Sequence, residues 1–251
     1  MQYTERQKVE RETFNSLVHE KWDAKDLFVS KEKPPFADYS GDLWDGASKL
    51  FGDLQNKKVL EIGCGSGEVS VWFAKNGAQV SGADVSDESI KIAEHRSAEN
   101  FTDNQIKFYA CPAEHLPFAD KFFDLIFVNV SLHHMELESA LKEFSRVLKP
   151  GGSFIAIEPM AFSETIQRMR ASELFTLLYP IRQETTTERI LTENDLELIS
   201  LYIGAMNYEP YRIFSPFVYK IKPLFNFLAT IFFSGEKDFE TRKQKMNRSL
   251  Q

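Results

Sequence analysis

The run Glu61-Ile62-Gly63-Cys64-Gly65-Ser66-Gly67 carries the most specific chemistry in the chain. Its glycines directly follow an apolar stretch, so the backbone can turn sharply there and a ligand can approach with no Cβ in the way. The sequence after it reads as a helix, whose first N–H groups and positive dipole end favour an anionic group. A dinucleotide fingerprint would need glycine at position 68, where Glu68 brings a negative charge towards any pyrophosphate. No Gly-Lys-Ser/Thr follows to make a phosphate loop either. The turn therefore suits a ligand with one carboxylate and a cationic part better than a diphosphate. Asp84, ending the next apolar run, stands where an acid accepts from the hydroxyls of a ribose. His133 and His134 are adjacent at a later strand-to-helix junction, and imidazole suits proton removal near neutral pH.

Such groups meet only if strand ends bring them together, and the pattern predicts that. Strands are expected at 58–62, 79–83, 106–110, 122–130 and 153–157, the fourth so continuously apolar that both its faces must be covered. Helices are expected at 68–75, at 87–98 behind a Ser86 cap, and at 136–148, where Leu137, Leu141, Phe144, Val147 and Leu148 fall on one stripe. Lys149-Pro150-Gly151-Gly152 reads as a break before the fifth strand. Strand and helix thus alternate as in an α/β fold with a doubly wound, mostly parallel sheet. Beyond residue 160, helices are expected near 163–178 and 193–201. Extended sequence (203–214) and the apolar run 224–233 would then pair antiparallel at the sheet's C-terminal edge. Residues 1–50 are read as an N-terminal helical cap or lid. Residues 51–251 are read as the main domain, with a substrate-pocket insertion near 160–200.

Composition sets bounds on function. The chain has 251 residues, 43% hydrophobic and 27% charged, which is ordinary for a globular protein and excludes a disordered one. A net charge of −7 gives no electrostatic case for nucleic acid as a partner. Its 2 cysteines, Cys64 and Cys111, make no disulfide framework and stand at no metal-ligand spacing with histidine, so no metal is expected. The N-terminal stretch lacks the apolar core of a signal peptide, and a cytoplasmic setting is expected. The run 224–233 is too short to span a bilayer. Weak contact with a membrane surface is kept open by neighbouring Lys220 and Lys222.

Four segments together resemble one family. VLEIGCGSG (59–67), ADVS (83–86), AEHLPFADKFFDLIFVNVSLHHM (113–135) and LKEFSRVLKPGGSFIAIEP (141–159) are similar, in order and at family spacing, to the motifs of class I S-adenosylmethionine-dependent methyltransferases. The likeness is strongest to the small-molecule branch that includes ubiquinone and menaquinone methyltransferases. It implies a Rossmann-like sheet, S-adenosyl-L-methionine as cofactor, and S-adenosyl-L-homocysteine as product. It also implies that Gly63, Cys64, Gly65 and Gly67 lie under the methionine part and that Glu61 orients the turn and the amino group. Asp84 would accept from the ribose, Val85 would lie against the adenine, and Asn129 would sit near the methionine end. Ala113 would offer its N–H to the adenine ring with Glu114 beside it. The family usually has Asp just before that alanine. Here Pro112 stands there, so Glu114 or a backbone carbonyl must take the adenine amino group.

The expected reaction is methyl transfer to oxygen or carbon of a hydrophobic or aromatic small molecule, with His133 or His134 as base. Trp22, Phe28, Phe36, Tyr39 and Trp44 could fold over the cofactor. Met160, Phe162, Met169, Phe175, Tyr179, Tyr208, Tyr211, Phe214 and Phe217 could line an apolar pocket. Three rivals stand beside this reading. One is a non-methylating S-adenosylmethionine-binding protein or binding module. Another is an NAD(P)-dependent oxidoreductase. The third, a nucleic-acid methyltransferase, lacks its Asn/Asp-Pro-Pro-aromatic signature here.

Overall fold

The computed structural model describes residues 3–21, 27–32, 35, 49–159, 189, 191–204, 206–211 and 228–234. An N-terminal helix α1 (Glu5–Lys21) precedes β1 (Lys58–Ile62), α2 (Glu68–Lys75), β2 (Gln79–Asp84), α3 (Asp87–Glu99), β3 (Ile106–Ala110) and β4 (Phe123–Asn129). A 3₁₀ turn (Leu132–His134) leads to α4 (Leu137–Val147) and β5 (Leu148–Pro159), then α5 (Glu193–Ile203), β6 (Met206–Tyr211) and β7 (Leu228–Ser234). The seven strands form one sheet in the order β3-β2-β1-β4-β5-β7-β6. β1 to β5 pair parallel, whereas β7 runs antiparallel to both β5 and β6. The doubly wound sheet with an antiparallel edge is the expected fold.

Alternation along the strands builds two cores. Leu60 and Ile62 of β1 face one side with Ile126, Val128, Phe154 and Ala156, under Leu141 and Phe144 of α4 and Ile199 of α5. Val59 faces the other side with Leu125, Phe127, Ile155 and Ile157, under Val69 and Phe73 of α2. Each fully buried Leu, Ile or Phe contributes about 1.5–3 kcal/mol relative to an exposed one, so neither face of β4 can be left uncovered. The winding reverses between β1 and β4. A crevice therefore opens beyond their carboxyl ends, where such sheets bind ligands.

One expectation needs correcting. Lys149-Pro150-Gly151-Gly152 does not end one element before another begins, because β5 runs through it from Leu148. Phe123 pairs with Leu148 and Leu125 with Ser153, so the extra residues bulge out of the ladder. Gly151 takes a left-handed φ of 77° in the bulge, and Lys149 Nζ binds Asp124 Oδ1 at 2.6 Å. Proline's missing N–H is tolerated at such a point. The expected helix near 163–178 lies outside the described residues.

Candidate active site

The glycine turn sits at the end of β1 with its backbone in the left-handed region. Gly63, Gly65 and Gly67 have φ of 66°, 50° and 79°. Each does a different job. A Cβ on Gly63 would collide with the Ser131 hydroxyl, so glycine lets the turn approach the loop after β4. A Cβ on Gly65 would meet nothing within 4 Å, because that residue faces the open crevice. Gly67 begins α2, and a Cβ there would lie 2.8 Å from that of Ala93 on α3; it serves helix packing rather than the crevice. Cys64 turns inward and is buried, and burial beside the Asp84 carboxylate pushes its thiol well above the usual range, so it is no nucleophile.

Asp84 ties this turn to the next strand. Its Oδ2 accepts the Gly65 N–H at 2.9 Å and its Oδ1 the Ser86 N–H at 2.8 Å. Burial raises its carboxyl above the ordinary aspartate range, against the pull of those N–H groups. Ser86 caps α3 as expected, its side chain accepting the Ser89 N–H at 3.0 Å.

Ile62, Gly63, Gly65, Asp84, Val85, Pro112, Ala113, Glu114, Asn129 and Ser131 all border one cleft of about 830 Å³, its solvent mouth included. Of the residues assigned to the site from sequence, Gly63, Gly65, Asp84, Val85, Ala113, Glu114, Asn129 and His134 meet there. Glu61, Cys64, Gly67 and His133 stand behind the lining instead. Glu114 is held on both sides: Oε1 accepts the Glu136 N–H at 2.8 Å and Oε2 accepts from Gln7 Nε2 at 3.1 Å.

Glu61 points away from the cleft because the alternation of β1 turns it towards α2. There the Ser70 hydroxyl donates to its carboxyl, 3% of the residue being exposed. Burial first, then the charges of Asp84 and Glu68, push this carboxyl up to about 8. The folded protein thus holds a proton that the unfolded chain releases from pH about 4.5 upward. The associated stability is fully present below pH about 4.5 and is lost as pH rises through about 8. Glu61→Gln, which needs no proton, is expected to flatten that loss. Urea unfolding at both ends of the window should show the variant gaining on the parent as pH rises, by up to about 1.4 kcal/mol for each whole step of pH. Equal pH slopes would show Glu61 ionised in the fold.

Glu68 also behaves differently from its sequence reading. Its carboxylate is paired at 3.0 Å with Arg96, whose side chain is 3% exposed and also reaches Ser66 Oγ at 3.1 Å. The negative charge expected to repel a pyrophosphate is therefore offset, and only the glycine spacing argues against a dinucleotide.

The two histidines have different surroundings. His133 is buried, with Nδ1 2.7 Å from Oε2 of Glu158, itself 0% exposed. Glu158 Oε1 accepts the N–H groups of Ser131 (2.7 Å) and Leu132 (2.6 Å). His134 borders the cleft, with Nδ1 3.2 Å from Oε2 of Glu10 on α1 and its ring edge-on to Phe14. Between the β4 strand and this turn, Val130 has φ 51°. A β-branched residue reaches that region only under constraint, at a cost of about 1–3 kcal/mol. Its own N–H bound to Ile157 O at 2.7 Å and the Glu158 carboxylate next door impose it.

Four contributors were not assigned to the site from the sequence. Gln7, Glu10 and Phe14 of α1 border the cleft, but the helix is so evenly charged that its pattern marks no inward face. Glu158 had a signal, an acid inside an otherwise apolar strand. The aromatic lid does not hold for Phe28, which is 78% exposed beyond α2. Lys75 keeps it there, with Nζ 4.2 Å from the ring centre and 2.6 Å from Val29 O. Trp22, Phe36, Tyr39 and Trp44 lie outside the described residues. So do Met160, Phe162, Met169, Phe175, Tyr179, Phe214 and Phe217, while Tyr208 and Tyr211 fall on β6.

Residues 60–156 match the methyltransferase-domain family. The chain is 40% identical over 97 residues to the methyltransferase GfsG of Streptomyces halstedii, covering 38% of this chain and 35% of that one. It is 38% identical over 105 residues to the demethylmenaquinone methyltransferase of Chlorobaculum parvum, covering 41% of each. The similarity thus spans well under half the length of these relatives. Among solved structures it is similar to the geranyl diphosphate C-methyltransferase of Streptomyces coelicolor A3(2), with a TM-score of 0.64, 14% identity, and coverage of 93% and 100%. The glycine turn, the acid ending β2 and the sheet order thus stand on one scaffold, and residues 60–156 of it carry the match to the methyltransferase-domain family.

Proposed function

We propose that the protein transfers a methyl group from S-adenosyl-L-methionine to oxygen or carbon of a hydrophobic or aromatic small molecule. The observation that carries this reading is one cleft bordered both by the left-handed Gly63–Gly65 turn and by Asp84 at the end of the neighbouring strand. The residues present suit that cofactor. Gly65 leaves the cleft floor bare of side chain, Asp84 is an acceptor for ribose hydroxyls, and Val85, Pro112 and Ala113 give an apolar wall for a base. Asn129 and Ser131 border the cleft nearer the switch point of the sheet. Pro112 offers no side-chain acceptor for an adenine amino group, and the Glu114 carboxylate beside it takes that role.

The cofactor supplies a methyl group already activated on a sulfonium centre. The protein's share is position, and orienting two bound reactants can supply about 7–11 kcal/mol. Where the acceptor must lose a proton, a base adds about 10²–10⁴-fold. His134 is the better placed of the two histidines, because it borders the cleft, whereas His133 is buried behind the lining with its Nδ1 on Glu158. His134→Gln is expected to lower turnover about 100-fold with cofactor affinity unchanged. A variant at full rate would leave catalysis to positioning alone. Among the described residues no helix is long and apolar enough to cross a membrane, and none group as a metal site. We read the setting as cytoplasmic.

The test is formation of S-adenosyl-L-homocysteine from S-adenosyl-L-methionine with a panel of neutral phenols, quinols and lipophilic alcohols. Product with an apolar acceptor is the expected result. Tight binding of S-adenosyl-L-methionine with no product from any acceptor would instead support a non-methylating protein.

A further inference from the structure

Val130 is held in a backbone conformation that strains a valine and gives it little packing in return. Its φ of 51° lies in the left-handed region, where a β-branched side chain crowds the backbone, yet the residue is 45% exposed. Glycine or asparagine would take that φ far more readily. The turn around it is fixed from β5. The Val130 N–H donates to Ile157 O at 2.7 Å, and Glu158 Oε1 takes the next two N–H groups along the chain. Strained residues that persist because their surroundings impose them cluster where a ligand is handled. Val130 borders the cleft, and so does Met135 just after the same turn.

The strand register fixes which side of the cleft this is. Ala83 of β2, Ile62 of β1 and Val128 of β4 lie in one row across the sheet. Asp84 and Asn129 each stand one residue beyond that row, on opposite sides of β1. With one strand between them, their backbones are about 10 Å apart. The glycine turn lies in the middle, and Ser131, next to Val130, meets it there, its Oγ donating to Ile62 O at 3.3 Å. Val130 is therefore on the β4 side, across the turn from the Asp84 carboxylate. The 3₁₀ turn that follows it ends in His134, which borders the same cleft. An exposed apolar side chain and an imidazole thus come from one short loop.

We propose that Val130 is a specificity-determining residue, the apolar surface on the β4 side of the cleft against which the methyl acceptor packs. The inference rests on the proposed methyl transfer. It accounts for a valine where the backbone favours glycine or asparagine: either of those would remove the strain and the apolar surface together. The acceptor it selects presents an apolar edge, rather than a charged or hydrogen-bonding one, to the loop after β4.

The test compares the parent with Val130→Gly, Val130→Asn and Val130→Ile. Calorimetry measures S-adenosyl-L-homocysteine alone, then 4-propylphenol on protein saturated with it, and thermal melts follow folding. Glycine and asparagine accept the left-handed backbone, so both variants should melt no lower than the parent. Each should bind S-adenosyl-L-homocysteine within about 2-fold of the parent yet lose about 10-fold in affinity for the phenol, the worth of two methyl-sized apolar contacts. Val130→Ile keeps the branched apolar surface and should stay within about 3-fold of the parent for both ligands. Four results would overturn the proposal: a parent that binds S-adenosyl-L-homocysteine but not the phenol, equal losses for both ligands, no loss for the phenol, or a glycine variant melting more than about 5 °C lower. If the parent does not bind S-adenosyl-L-homocysteine, the cofactor reading itself falls, and this inference with it.

Discussion

Asp84→Ala is expected to weaken binding of S-adenosyl-L-homocysteine by about 100-fold or more while leaving the chain folded. Hydrogen bonds to a charged group are worth about 1.5–3 kcal/mol each, and a ribose offers the carboxylate two hydroxyls. A second loss adds to the first, because Oδ2 also holds the Gly65 N–H and so steadies the turn at φ 50°. The fold loses less than the site does. Burial already disfavours the ionised carboxyl, so its removal relieves a cost while it releases two backbone N–H groups at the edge of the cleft. Calorimetry beside a thermal melt separates the two effects. An affinity within about 2-fold of the parent would remove Asp84 from the site.

The largest effect on stability is expected at Glu158. Its carboxylate, 0% exposed, gathers the N–H groups of Ser131 and Leu132 and the ring of His133. Glu158→Ala leaves those donors buried without an acceptor and lets Val130 relax from φ 51°. Removing one partner of a buried pair costs about 3–5 kcal/mol. At about 2–4 °C per kcal/mol for a chain of this size, the melting temperature should fall by about 10 °C. Glu158→Gln keeps an acceptor for the two N–H groups but presents an amide to His133 Nδ1. It should cost less stability than the alanine variant. An alanine variant within about 1 kcal/mol of the parent would show that the turn stands without its clamp.

The central strands were legible because period-2 apolar runs punctuated by glycine leave few alternatives, as at 58–67. The stripe Leu137, Leu141, Phe144 placed α4 to within a residue of its observed bounds. The run Lys149–Gly152 misled because proline and glycine punctuate both a chain break and a bulge, and only the pairing of Phe123 with Leu148 tells them apart. In the site, Gly65 and Asp84 followed from strand-end position. The difference between His133 and His134 did not, since it depends on Glu158 and Glu10, 25 and 124 residues away along the chain. The inward face of α1 was illegible for a related reason: its cleft residues Gln7 and Glu10 are polar, and an apolar stripe is what marks a buried face.

The central claim is that the bend from Gly63 to Gly65 and the carboxylate of Asp84 together hold an adenosyl amino acid. The most direct measurement is a crystal structure of the protein soaked with S-adenosyl-L-homocysteine. Predicted is the ligand with its ribose hydroxyls on Asp84, its base against Val85 and Ala113, and its amino-acid end over Gly63 and Gly65. Density for the ligand elsewhere, or the cleft closed by the protein's own side chains at saturating ligand, would contradict it.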